Sequence, residues 1–147
     1  MSQRLRAAAP PPAFALHVGK LLEIRITTPI RNPHDIVELG TQFRAAASKT
    51  EGNVVIASDY RQASLLSPER AEEFRALMAT LGPRITRSAI VLDKDKATFN
   101  LQLQRVVLRA GSSDRKMFFD VGEAKAFLAP ALDDAERARL DQFFAGN

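Results

Sequence analysis

From Phe14 onward the apolar residues fall on every second position. Phe14, Leu16, Val18, Leu22, Ile24 and Ile26 share one parity, while Ala15, His17, Glu23, Arg25 and Thr27 hold the other. Period two predicts two strands with one buried face. Gly19 punctuates them. A three-residue loop of Gly19, Lys20 and Leu21 is expected to set Val18 against Leu22, Leu16 against Ile24 and Phe14 against Ile26. A two-residue loop would place Leu16 opposite Glu23 and spoil the face. On this reading His17 is a surface residue near Glu23.

The period then changes. Asn32, Pro33 and Asp35 announce a helix, and Ile36, Leu39, Gly40, Phe43 and Ala47 mark its apolar stripe as far as Ser48. The stretch 53–81 organises the rest. It opens with the continuous apolar run 54–57, as expected of a central strand covered on both faces. A polar loop, 58–64, leads to Ser67, Pro68 and Glu69, which start a helix carrying Ala71, Phe74, Leu77, Met78 and Leu81; Gly82 and Pro83 stop it. A second buried strand, 88–92, is followed by the polar loop 93–96. A helix with Phe99, Leu103, Val106, Val107 and Ala110 comes next, closed by Gly111. Met117, Phe118 and Phe119 form the last strand, and 121–129 a short helix. Asp133 and Glu136 make a capping box for a final helix whose apolar face is Leu140, Phe143 and Phe144. The order β-β-α-β-α-β-α-β-α-α predicts an α/β fold with a mixed sheet: an N-terminal antiparallel hairpin, then mostly parallel strands joined by right-handed crossovers.

Composition narrows the function classes. The chain has 147 residues, 46% of them hydrophobic and 26% charged, which predicts one globular domain over 13–147 behind a disordered Ala- and Pro-rich tail at 1–12. Cysteine is absent, so there is no disulfide, thiolate nucleophile or Cys-based zinc site. Two histidines, His17 and His34, are too few for most His-rich metal sites. No apolar run reaches 18 residues and the N-terminus lacks a signal-like apolar core, so a cytoplasmic protein is expected. Of the net charge of +4, Arg4 and Arg6 supply two from the tail. The remainder is too small to suggest nucleic acid.

Candidate chemistry gathers where strands end. Asp59, Tyr60 and Arg61 follow the central strand, Asp93, Lys94, Asp95 and Lys96 the next, and Asp120 the last. In open α/β sheets ligands meet these carboxyl ends. Three acidic residues after three strands are one way to hold magnesium beside Lys94 or Lys96, giving a metal-dependent, phosphate-handling enzyme. Turn and cap acceptors are the ordinary use of such residues. There is no Gly-rich phosphate loop and no Gly-x-Ser-x-Gly elbow, so no catalytic residue, metal or cofactor is expected. A further alternative is a lipid or small apolar ligand in a groove lined by Phe99, Leu101, Leu108, Phe143 and Phe144.

Three features together resemble the STAS fold, in its SpoIIAA-like branch (sometimes grouped with Sec14-type lipid-binding domains). They are the hairpin of 16–26, the strand–loop–helix of 54–81, and the closing segments 87–92, RSAIVL, and 116–128, KMFFDVGEAKAFL. The likeness covers about 14–129. It implies a small non-enzymatic regulatory module that binds another protein through the loop and helix after the central strand. The implied partner is a signalling kinase or anti-sigma-like factor, with a second copy of the chain as a further candidate. In antagonists of the branch, a Ser or Thr at that helix start is phosphorylated. Here Pro68 stands at the acceptor position, Ser67 where Asp is usual and Glu69 where a small residue is usual. Ser64 and Ser67 remain as candidate phosphorylation sites, although capping alone explains Ser67. The expected partner-binding set is Asp59, Tyr60, Arg61, Ser64, Ser67, Asp93, Lys94 and Lys96. Tyr60 and Arg61 are its expected anchors.

Overall fold

A computed structural model describes residues 14–111 and 114–146. The tail expected at 1–12 lies outside the described residues. Five strands form one sheet in sequential order: β1 (Phe14–Val18), β2 (Leu21–Arg25), β3 (Val54–Asp59), β4 (Ile85–Val91) and β5 (Arg115–Phe118). β1 and β2 are antiparallel, and β2 through β5 are parallel. The helices are α1 (Pro33–Ala47), α2 (Pro68–Leu81), α3 (Ala97–Ala110), α4 (Val121–Leu128) and α5 (Asp134–Phe144). This is the expected element order and the expected mixed α/β sheet.

Each parallel crossover steps one strand in the same direction. Connections of one hand therefore stack α1, α2 and α3 on one face. Alternate strand residues show both faces filled. Val54, Ile56, Ile90 and Leu92 pack with those three helices. Val55, Ala57, Ala89 and Val91 pack with α4 and α5 through Ala124, Leu128, Leu140, Phe143 and Phe144. All six residues of β3 are buried, as its unbroken apolar run predicts.

The hairpin departs from its expected register. Leu16 faces Leu22 and Phe14 faces Ile24, while Val18 faces Leu21. The turn has two residues, Gly19 and Lys20, and the register shifts between Leu16 and Val18. His17 is thus the extra residue of a bulge. The bulge resolves the conflict that a two-residue turn creates: Phe14, Leu16, Leu22 and Ile24 stay on the α1–α3 side. It also releases Leu21 to the other side, where it is fully buried. Nor is that second side of the hairpin open. Helix α5 crosses it, and Glu23 is only 4% exposed, held by Arg139 of α5 at 2.5 and 2.7 Å.

Local signals fix the helix ends. Asn32 caps α1, Ser67 caps α2, Asp120 caps α4, and Asp133 with Glu136 forms the capping box of α5. β4 begins at Ile85, three residues before the apolar run suggests, and β5 ends at Phe118. Phe119 therefore lies beyond the sheet, 60% exposed.

Candidate functional site

Residues 59 and 60 continue the alternation of β3, so they leave the sheet on opposite faces. The N–H of Tyr60 still reaches Val91 O at 2.9 Å, extending the ladder by one residue. Its ring shares parity with Val54 and Ile56. It is buried at 4% exposure against Phe74 of α2, with centroids 6.3 Å apart. Tyr60 is therefore a core residue and not the exposed anchor expected of it. Burial pushes its phenol up to about 12, against opposing pulls from a Ser58 hydrogen bond and the Arg115 charge.

Asp59 turns to the α5 side. Its carboxylate accepts from Arg61 Nε at 2.9 Å and Nη2 at 2.8 Å, from the Arg61 backbone N–H at 3.1 Å, and from Arg25 Nε at 3.4 Å. Burial alone would raise this carboxyl. The Arg61 hydrogen bonds and charge, with help from Arg25, outweigh it and hold Asp59 below its ordinary 3.8. Arg25 also donates to Phe143 O and lies 4.4 Å from the centroid of the Phe143 ring. Arg61 reaches Phe144 O at 3.5 Å. Two arginines thus meet the carbonyl end of α5, where a helix favours cations, and one buried carboxylate joins them. This network fastens α5 to the sheet, which accounts for Asp59 and for much of Arg61.

The other expected acidic residues have local tasks. Asp93 Oδ1 accepts from Asp95 N–H at 2.9 Å, and Asp120 Oδ2 from Glu123 N–H at 3.1 Å. Among the described residues no group of three acidic, His or Cys side chains is placed to hold a metal ion. The five residues expected to line one apolar groove are separated as well. Phe99 is in the α1–α3 core, Phe143 and Phe144 are in the α4–α5 core, and Leu101 and Leu108 face outward.

Of the remaining expected residues, Ser64 and Ser67 precede α2, and Lys94 and Lys96 precede α3. Ser64 and Ser67 are exposed, and Ser67 Oγ accepts from Arg70 N–H at 3.1 Å. Lys94 is exposed, whereas Lys96 Nζ is spent on Ala63 O at 3.0 Å. The loop before α2 is fastened to α3 by Gln102. Its amide accepts from Leu66 N–H at 2.9 Å and donates to Leu66 O at 2.7 Å. With Leu66 buried and clamped, Leu65 is left 55% exposed beside Leu101 at 49%.

Comparison with protein-family models, curated proteins and solved structures returns no match.

Leu65 and Leu101 line a groove of about 400 Å³ between α2 and α3, rimmed by Glu72, Arg75, Arg105 and Arg109. Glu72 is already engaged by Arg75, at 3.0 and 2.6 Å. On its other side Leu101 lines a second groove, of about 520 Å³, with Phe119, Met117, Lys94 and Lys116. Leu65, Leu101 and Phe119 thus form an apolar strip across the start of α3, with cations on both margins. Five large apolar side chains are exposed among the described residues, and three of them are in this strip; Leu108 lies two turns along α3 from Leu101. Single exposed leucines are ordinary, whereas apolar side chains grouped together and rimmed by charge are the kind of surface that contact sites use. The sequence reading missed Leu65 and Gln102. The one sequence signal for Leu65 was that two leucines precede the Ser67 cap and only one can turn inward.

Proposed function

We propose that the chain is a STAS-like, SpoIIAA-like interaction module that binds a partner protein on the face made by the 64–67 loop, α2 and α3. The observation that carries this reading is the strip of Leu65, Leu101 and Phe119 beside the helix that follows the central strand. Leu65 lies in the loop that the resemblance assigns to partner contact, and Leu101 on α3 and Phe119 after β5 extend that surface. The margins define the partner's chemistry: Arg75 and Arg109 share Glu72, while Lys94, Lys116 and Arg105 fit an apolar knob set in an acidic surround. A cytoplasmic signalling kinase or anti-sigma-like factor is the partner class that the resemblance supplies. Pro68 takes the usual phospho-acceptor position, so regulation through this face falls to Ser64 or Ser67. A phosphate on either would add about two negative charges beside a margin otherwise rich in cations.

The test is affinity capture with the wild-type chain and with Leu65→Asp and Leu101→Asp. Both residues are exposed, so folding stability should move by no more than about 0.5 kcal/mol, while capture of a specific partner falls about tenfold or more. Equal capture by all three proteins would remove the assignment.

A further inference from the structure

The side chain of Arg115, on β5, passes to the α1–α3 side of the sheet and is 7% exposed. A guanidinium keeps its charge at any ordinary pH, and a buried charge is costly unless it is paired. The other buried ionised groups among the described residues meet that condition. Glu23 has Arg139, Asp59 has Arg61 and Arg25, and Glu136 has Lys20. Arg115 does not. Its Nη2 donates to Met78 O at 3.1 Å, a carbonyl in the last turn of α2, while Nη1 is buried with no hydrogen-bond partner.

Arg115 lines a cavity of about 40 Å³ between the sheet and α2, whose walls are mainly apolar. The polar groups that join it there are Ser58, Ser88 and Tyr60. Ser58 and Ser88 are 2% and 3% exposed, and Ser88 sits directly across from Arg115 in the β4–β5 ladder. The volume has room for roughly three waters, or for one anion of a few heavy atoms. A cation is excluded by the guanidinium, and a lipid or nucleotide by size.

We propose that this cavity is a binding site for a small monovalent anion, of the halide or formate class. Arg115 Nη1 is the charged donor and the hydroxyls of Ser88 and Tyr60 complete the shell. The site is independent of the partner face, and the Tyr60 phenol is a donor here because it stays protonated.

The experiment uses the full chain at constant ionic strength, with sodium gluconate exchanged stepwise for chloride, bromide or formate. At an anion concentration about a hundredfold above its dissociation constant, the wild-type Tm should rise on the order of 8 °C. The rise should disappear in Arg115→Met and shrink in Ser88→Ala. Chloride-35 line broadening should fall in step. Should Arg115→Met fail to fold, anomalous scattering from bromide-soaked wild-type crystals decides the matter. A bromide peak within hydrogen-bond distance of Arg115 Nη1 supports the site, and its absence overturns it. So does a Tm that responds to none of the three anions, which would leave the helix end at Met78 as the sole compensation for the charge.

Discussion

At the scale of single residues, the structure turns on which side of the sheet each loop residue takes. Asp59 and Tyr60 read alike in sequence, as polar positions after a strand, yet one joins the α5 network and the other the α2 core. The signal was legible in the parity of β3, since Tyr60 continues Val54, Ile56 and Ser58. It was obscured because tyrosine serves core and surface equally well. Tyr60 is the one tyrosine, and there is no tryptophan, so absorbance at 295 nm reports it alone. Native protein should show little tyrosinate at pH 10.5 and ionise mainly near 12, whereas urea-unfolded protein should titrate near the ordinary 10. A phenol raised in the folded state stabilises fully below its unfolded value. That contribution is lost as pH climbs from about 10 through 12. Titration of the native protein at pH 10 would contradict the buried placement. Asp59 has the opposite sign. Its carboxyl is lowered on folding, so its contribution is present above the unfolded value near 4 and is lost as pH falls through the folded one. The stability gap between wild type and Asp59→Asn, measured by urea unfolding, should be widest at neutral pH and narrow below pH 4.

At the scale of elements, α5 shows why the fold was more legible than its fastenings. Asp133 and Glu136 are recognisable three residues apart, and the structure contains that capping box. The long-range half of the same residue was not legible. Glu136 Oε2 also accepts from Lys20 N–H at 2.8 Å, in the β1–β2 turn. Gly19 there has φ +55, and a Cβ on it would fall 2.0 Å from that oxygen. Sequence spacing shows helix caps because they are local, but it cannot show a carboxylate whose second oxygen is used across 116 positions. Two costs follow. Gly19→Ala should destabilise by about 2 kcal/mol or more, from the left-handed backbone together with the displaced carboxylate. Arg139→Met, which leaves the buried Glu23 with only His17 Nε2 nearby, at 3.6 Å, should cost about 3 kcal/mol, well above the roughly 1 kcal/mol of Ser67→Ala at an exposed cap. Chemical denaturation of the three variants checks the ranking, and a Ser67→Ala cost equal to that of Arg139→Met would contradict it. Gln102 belongs to this scale too. With its two-way clamp on Leu66 removed in Gln102→Ala, amide exchange over 63–67 should quicken while the strands keep their protection.

At the scale of the whole molecule, the element order and the mixed sheet were readable because each boundary carries its own chemistry: Asn32 and Pro33, Ser67 and Pro68, Gly82 and Pro83, Gly111, Asp133. The hairpin register was not, because a bulge at His17 costs no visible residue and undoes a parity argument by one position. The proposed partner face was half readable. Ser64, Ser67 and Lys94 lie on or beside it, whereas Asp59, Tyr60 and part of Arg61 serve the interior. What the sequence could not show was that Leu65, Leu101 and Phe119, contributed by three separate segments, adjoin one another. No described helix is long and apolar enough to cross a membrane, and three of the five exposed large apolar side chains among the described residues, Leu65, Leu101 and Phe119, lie around α3. The most direct measurement is amide hydrogen exchange of the chain alone and in complex with its captured partner. Protection should appear over 64–72, 98–109 and 116–119, with α4 and α5 unchanged. Protection confined to α4, α5 or β1, with none over α2 and α3, would contradict the account.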